Sequence, residues 1–224
     1  MMKEYTFCFL LIGFLLISCH KIQYKTQTQK SLPELGSLGV FEKYIAQEIT
    51  IEKSVIGVNS PLKLKVEIVT ESKREIFTNK DSINSLKEYL TLEVLDKFSL
   101  LEQINQNKEL FGYLKSNPRV RIVTKVFINF SETVKQEILD SQELYLIQNK
   151  QKTLSIELRD DNKTTKIIEF SEGKIIDFEP SEFCWGTKKG FKVQILDVVN
   201  VGSDCNGDLY KTYKKAKRKT EFNY

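Results

Sequence analysis

The chain has 224 residues, 29% of them charged and 41% hydrophobic, with a net charge of +4. That mix belongs to an ordinary folded domain, and with lysine far outnumbering arginine it lacks the clustered, strongly basic character of a nucleic-acid-binding domain. The only histidine, His20, lies near the start of the chain, which removes Ser-His-Asp and Cys-His catalysis and His-rich zinc sites, and neither glycine-rich phosphate-binding pattern occurs.

The chain opens with Lys3 as its one early cation, partly offset by Glu4, followed by an uncharged and almost wholly apolar run over residues 5–17. A membrane-spanning helix needs about 20 apolar residues. This run is shorter and fits the apolar region of a signal peptide, roughly 7–15 residues long. From the residues alone, an ordinary secretory signal or a retained apolar anchor would read similarly. The end of the run is more specific: Leu16-Ile17-Ser18-Cys19 resembles the lipobox of bacterial lipoproteins. The resemblance implies that Leu16 is the recognition residue, Ser18 the small residue at the cut, and Cys19 the site of lipid attachment. It implies membrane association through the N-terminal lipid and a place in the cell envelope. Several acyl chains give stable anchoring, since each buried CH₂ contributes about 0.8 kcal/mol. His20, where an aspartate would retain such proteins at the inner membrane, implies delivery to the outer membrane.

Beyond the leader (1–18), the expected organisation is a polar tether over 19–40, a single α+β domain over 41–210 and a basic C-terminal tail over 211–224, the chain after Gly207 reading as a short basic helix or a tail. The tether is polar through Lys30 and is punctuated by Pro33, Gly36 and Gly39. Residues 47–58 alternate in part and 62–69 alternate strictly between apolar and charged, so the pair reads as a hairpin turning at Asn59-Ser60-Pro61. Asn79 or Asp81 reads as a helix cap, followed at helical spacing by Ile83, Leu86, Tyr89, Leu90, Val94, Leu95 and Phe98. The pattern predicts two helices or one bent helix over 81–116, ending at Asn117-Pro118. A long strand follows over 120–130, then a short helix capped by Ser131 or Glu132. Strands are expected over 144–148, 154–159, 165–170, 174–178 and 191–201, as an antiparallel meander with turns at Asn149-Lys150, 160–163 and Glu172-Gly173. The fold class is therefore α+β: an antiparallel sheet of about six to eight strands with the helical segment 81–116 packed on one face.

Of the four cysteines, Cys8 leaves with the leader and Cys19 is the lipid site, so Cys184 and Cys205 remain as a pair in an oxidising compartment. A disulfide is the simplest account, since no CxxC spacing or histidine partner supports a metal. Phe183 and Trp185, the only tryptophan, form a binding patch if exposed and fill the edge of the core in a disulfide-pinned loop if buried. Asp204, Asn206 and Asp208 match the start of a calcium loop. Leu209 and Lys215 then break the match, leaving a turn with Asp208 capping the last helix. Asp177 and Glu179 are candidates for carboxylate-only hydrolysis, or else a solvated strand end. The run Lys211, Lys214, Lys215, Lys217, Arg218 and Lys219 either attracts anionic lipid headgroups or lipopolysaccharide phosphates, or is a frayed, solvated end. These readings lead to a lipid-anchored envelope protein that binds a protein partner, with no cofactor, no metal and no nucleic acid. Two alternatives are a small-ligand or glycan-binding module with a pocket between helix and sheet, and a hydrolase using carboxylates alone.

Overall fold

The computed structural model describes residues 32–41, 54–70, 88–150, 152–188 and 192–222. The lipobox, including Leu16, Ser18 and Cys19, lies outside these residues, as do Gln47 to Lys53 of the first expected strand and Asn79 to Leu86 of the expected helix.

The described residues form a sheet-rich α+β fold around one antiparallel sheet of ten strands. In chain order the elements are β1 (Ser37–Gly39), β2 (Ser54–Val55), β3 (Leu62–Thr70), β4 (Glu88–Val94), helices α1 (Lys97–Gln106) and α2 (Lys108–Ser116), and β5 (Arg121–Asn129). Then come α3 (Glu132–Asp140), β6 (Glu143–Gln148), β7 (Leu154–Asp160), β8 (Lys163–Glu169), a 3₁₀ turn (Phe170–Glu172), β9 (Lys174–Lys188), β10 (Lys192–Asn200) and α4 (Tyr213–Phe222). The main sheet order is β10-β9-β5-β4-β3-β6-β7-β8, with β1 joining β2 to β5 outside this path. It is not one meander. β3-β4-β5 and β6-β7-β8 are two local meanders joined through β3–β6, and β9–β10 is a hairpin added at β5.

The sequence pattern places β5, α3, β6, β7 and β10 within a residue or two. Ser131 caps α3, its hydroxyl accepting from the Val134 N–H at 3.4 Å. The front of the expected helical segment is a strand instead. Glu88–Val94 pairs Leu90 with Ile128 and Leu92 with Val126 of β5. Tyr89 and Thr91 on its other face are buried as well as Leu90 and Leu92. Leu90, Leu92 and Val94 do alternate with Thr91 and Glu93, but over five residues only, with apolar Tyr89 and Leu95 directly on either side. Tyr89, Leu90, Val94, Leu95 and Phe98 then coincide with helical spacing.

The helices begin at Asp96, whose carboxylate accepts from Ser99 N–H at 3.0 Å. Asn107 breaks the segment in two: its backbone closes α1 onto Gln103, and its side chain caps α2 through Leu110 N–H at 3.0 Å. The hairpin between 47–58 and 62–69 is not formed. β2 pairs with β1, while β3 pairs with β4 and β6. At the expected turn, the backbone N–H groups of Asn59 and Ser60 donate instead to Gln103 Oε1 of α1, at 2.7 and 3.2 Å.

Both ends of the expected domain need revision. Leu35 and Leu38, assigned to the tether, are fully buried, and Phe41 packs against Phe178 with ring centroids 5.2 Å apart. Gly36 enters this region at φ +80°, and a Cβ there would sit 2.7 Å from a Leu154 methyl, so glycine fits where a larger residue would clash. The basic segment takes the helical one of its two expected forms, α4, and this helix belongs to the fold and does not trail from it. Finally, β9 runs on past Phe178 through Pro180 to Lys188. The proline is tolerated because it pairs with Val123 where the β5–β9 register shifts.

Candidate functional site

Three sequence features that stood apart now meet at one corner: the Phe183-Cys184-Trp185 segment, the second cysteine, and the basic run. Cys184 on β9 is bonded to Cys205 in the segment that follows β10. Beyond that bond, Tyr210 pairs with Trp185 as a short bridge, exchanging N–H···O bonds of 2.7 and 2.8 Å. Gly186 leaves room for this approach; a Cβ there would meet Leu196 at 2.9 Å and also Leu209. The chain then turns into α4, with Thr212 Oγ1 accepting from Lys215 N–H at 3.3 Å. Thr212 therefore takes the capping role expected of Asp208.

Trp185 and Phe183 are buried, at 3% and 5% exposure, so they do not form an exposed binding patch. Trp185 instead sits in a cluster of three rings. Phe111 of α2 and Tyr213 of α4 each approach its ring edge-on at 5.5 Å, and lie 6.5 Å from each other. Lys115 Nζ stands 4.5 Å over the Tyr213 ring. Edge-to-face pairs contribute about 0.5–1.5 kcal/mol each beyond their burial. Tyr213, Ala216 and Thr220 fall at helical spacing on one side of α4. Ala216 is 1% exposed, and Thr220 Oγ1 lies 2.7 Å from Thr187 Oγ1 of β9.

An open groove of about 480 Å³ lies against this cluster, between α2, α4 and β10. Phe111, Tyr213 and Val193 give it an apolar floor, while Lys192, Lys217, Thr220 and Glu221 form the polar rim. Its volume is in the range of small-molecule sites, ~300–1,000 Å³. Lys217 and Glu221 pair at 3.4 Å across one turn, both more than half exposed. None of the groove-lining side chains was singled out from sequence except Lys217. The available signal was the i, i+3, i+7 spacing of Tyr213, Ala216 and Thr220.

A second concentration of charge crosses the other end of the sheet. Glu143 on β6 binds Lys63 of β3 at 2.6 Å and accepts from the Tyr145 hydroxyl at 3.0 Å. On β7, Glu157 accepts from Arg159 at 2.7 Å and from the Thr164 hydroxyl of β8, and Arg159 lies 4.2 Å over the Tyr145 ring. Burial works against the Glu157 charge, but Arg159 and Thr164 together outweigh it and hold its pKa below the ordinary carboxylate value. On the same face of β7, Ser155 is fully buried and its hydroxyl has no hydrogen-bond partner.

A third surface is the corner between β4 and α1. Leu95 is 55% and Phe98 71% exposed, the two most exposed large apolar residues among those described. Their backbone is held from both sides. Leu95 and Asp96 N–H donate to the Lys63 carbonyl at 2.9 and 3.3 Å, and the Asp96 cap fixes the first turn of α1.

Asp177 and Glu179 lie half-buried on β9, opposite Phe127 and Lys125, and neither lines the groove. Asp177 accepts from the Phe178 N–H at 2.8 Å. Among the described residues no three His, Cys, Asp or Glu side chains are grouped to hold a metal ion, Asp204 and Asp208 included. No described helix is long and apolar enough to cross a membrane. No known family model matches the chain, and neither the curated proteins nor the solved structures contain a match to it.

Proposed function

We propose that this chain is a lipid-anchored protein of the bacterial cell envelope, delivered to the outer membrane, and that its folded domain works by binding a protein partner. The leader and Leu16-Ile17-Ser18-Cys19 support the address. The observation that carries the binding role is the Leu95–Phe98 corner. An aromatic ring left 71% exposed on a rigidly capped helix start loses little conformational freedom on docking, and aromatic anchors dominate interface energetics. In this reading α1 and α2 cover one face of the sheet, supported by the packing of α1 on β10, and hold the corner in place.

A photoreactive phenylalanine analogue at position 98 tests this in intact cells. Specific cross-links to an envelope protein are expected from position 98 and not from the exposed Glu109 of α2. Equal labelling from both positions, or none from 98, would remove the corner as a docking surface. The address has its own test. Native protein should begin at an acylated Cys19, and Cys19→Ala should leave the detergent phase.

The groove between α2, α4 and β10 favours a second reading, in which the domain binds a small amphipathic or glycan ligand. It is a concave site between helix and sheet with rings on its floor and polar groups on its rim. Ligand protection of Tyr213 or Phe111 signals in NMR titrations would select this reading over the first.

A further inference from the structure

We infer that α4 is a membrane-facing surface, built to lie against a bilayer that carries anionic lipid. The first observation is charge segregation. Residues 211–222 hold six cations and one carboxylate, a net of +5, whereas the whole chain carries +4. The rest of the protein therefore sums to −1, and its entire positive excess sits on one short segment.

The second observation is that this segment is folded and docked. Tyr213, Ala216 and Thr220 hold α4 to the aromatic cluster and to β9, so Lys214, Lys215, Lys217, Arg218 and Lys219 all project from a fixed helix and all are exposed. A cationic helix whose apolar side is already docked presents its charge without the ordering cost of a loose tail. Clusters of four to eight Lys and Arg on a helix bind anionic headgroups with about 1 kcal/mol per cation.

The third observation is position. The described segment nearest the N-terminus and the start of the basic segment are tied together. Arg121 donates to the Phe41 carbonyl at 3.1 Å and to Glu182 at 2.9 Å, and Glu182 accepts from Lys211 through its other oxygen. The basic helix thus starts beside Phe41, the last described residue of the 32–41 segment. Twelve residues separate Cys19 from Leu32, a span of at most about 45 Å. A lipid on Cys19 would therefore hold the domain, α4 included, within reach of the bilayer surface. The positional part of the argument rests on the acylation proposed above; the charge and docking parts do not.

The test uses the chain from His20 onward, which contains every described residue of the core and carries no lipid, so that binding is independent of acylation. It is mixed with vesicles of phosphatidylcholine alone or of phosphatidylcholine with phosphatidylglycerol as the anionic lipid. Binding to the anionic vesicles is expected and should weaken steeply with salt. Neutralising Lys214, Arg218 and Lys219 to Gln should reduce it about a hundredfold, at roughly fivefold per cation. The same number of neutralisations at Lys150, Lys163 and Lys174, exposed elsewhere, should change it less than about threefold. Glu221→Lys should strengthen it, which guards against a triple variant that fails to fold. The proposal is overturned if anionic and neutral vesicles bind alike, if the two triple variants behave alike, or if an oligonucleotide binds α4 more tightly than the vesicles do.

Discussion

The two ends of the sheet are secured by different physics. At the β6-β7-β8 end, Leu144, Leu146, Ile156, Leu158 and Ile168 bury one face, and hydroxyls and ion pairs knit the other. At the β9–β10 end the apolar face is supplemented by a disulfide, three packed rings and a helix that closes over them. The first end is local, three consecutive strands with short turns. The second joins β9, β10, α2 and the C-terminal segment, so its contacts close long loops. Loop closure costs entropy that short-range packing does not face, and the covalent bond between Cys184 and Cys205 removes part of that cost from the unfolded chain. The reinforced end is also the one that carries the groove and the basic helix.

Both ends protect an outer strand. At β10 the protection is specific. Asn105 of α1 donates to the Ile195 carbonyl at 2.7 Å and accepts from its N–H at 3.0 Å, occupying the backbone groups turned away from β9. At β8 the edge carries Lys163 and Lys166, the latter paired with Glu137 of α3 at 2.5 Å. Charged edges of this kind discourage pairing with another chain.

The contrast can be broken most severely at Trp185. Trp185→Ala should cost ~3–5 kcal/mol, with the urea midpoint falling and the Tyr213 environment changing together. Replacing both cysteines by serine should cost ~3 kcal/mol for a separation of 21 residues, leaving the β6-β7-β8 end intact by hydrogen exchange.

Acid should loosen both ends. At the reinforced end, burial opposes the Glu182 charge, but Lys211 and then Arg121 outweigh it and lower its pKa; Glu157 at the other end is lowered in the same direction. A carboxylate with a depressed folded pKa contributes stability at neutral pH, which is lost as pH falls through the carboxylate range. Glu182→Gln and Glu157→Gln should each flatten the acid limb of the stability–pH curve. A steeper limb would contradict the assigned pairing. The smallest effect is expected at Ser155. Its buried, unpartnered hydroxyl makes Ser155→Ala neutral or stabilising by up to ~1 kcal/mol, read as a small rise in melting temperature.

How far the sequence could be read differs between these regions for the same reasons. β6, β7 and β10 were legible because each has a clear turn and an apolar face at period two. β4 was not, because its alternation spans only Leu90 to Val94, and with Tyr89, Leu95 and Phe98 around it the apolar positions also fall at helical spacing. The disulfide was legible by elimination among four cysteines. The groove was not, because Phe111, Val193 and Tyr213 lie far apart in sequence and only the fold brings them together. The C-terminal run reads as a solvated tail if charge alone is counted. Its docking depends on Tyr213, Ala216 and Thr220, three modest residues among six cations.

That last point is also the firmest test of the account: the basic segment is an integral, docked helix at the reinforced end of the sheet. Native-state amide exchange over residues 213–222 measures it directly. Protection approaching that of β9, and its loss in Trp185→Ala, is the predicted result. Exchange of these amides at unfolded-chain rates in the native, disulfide-bonded protein would contradict it.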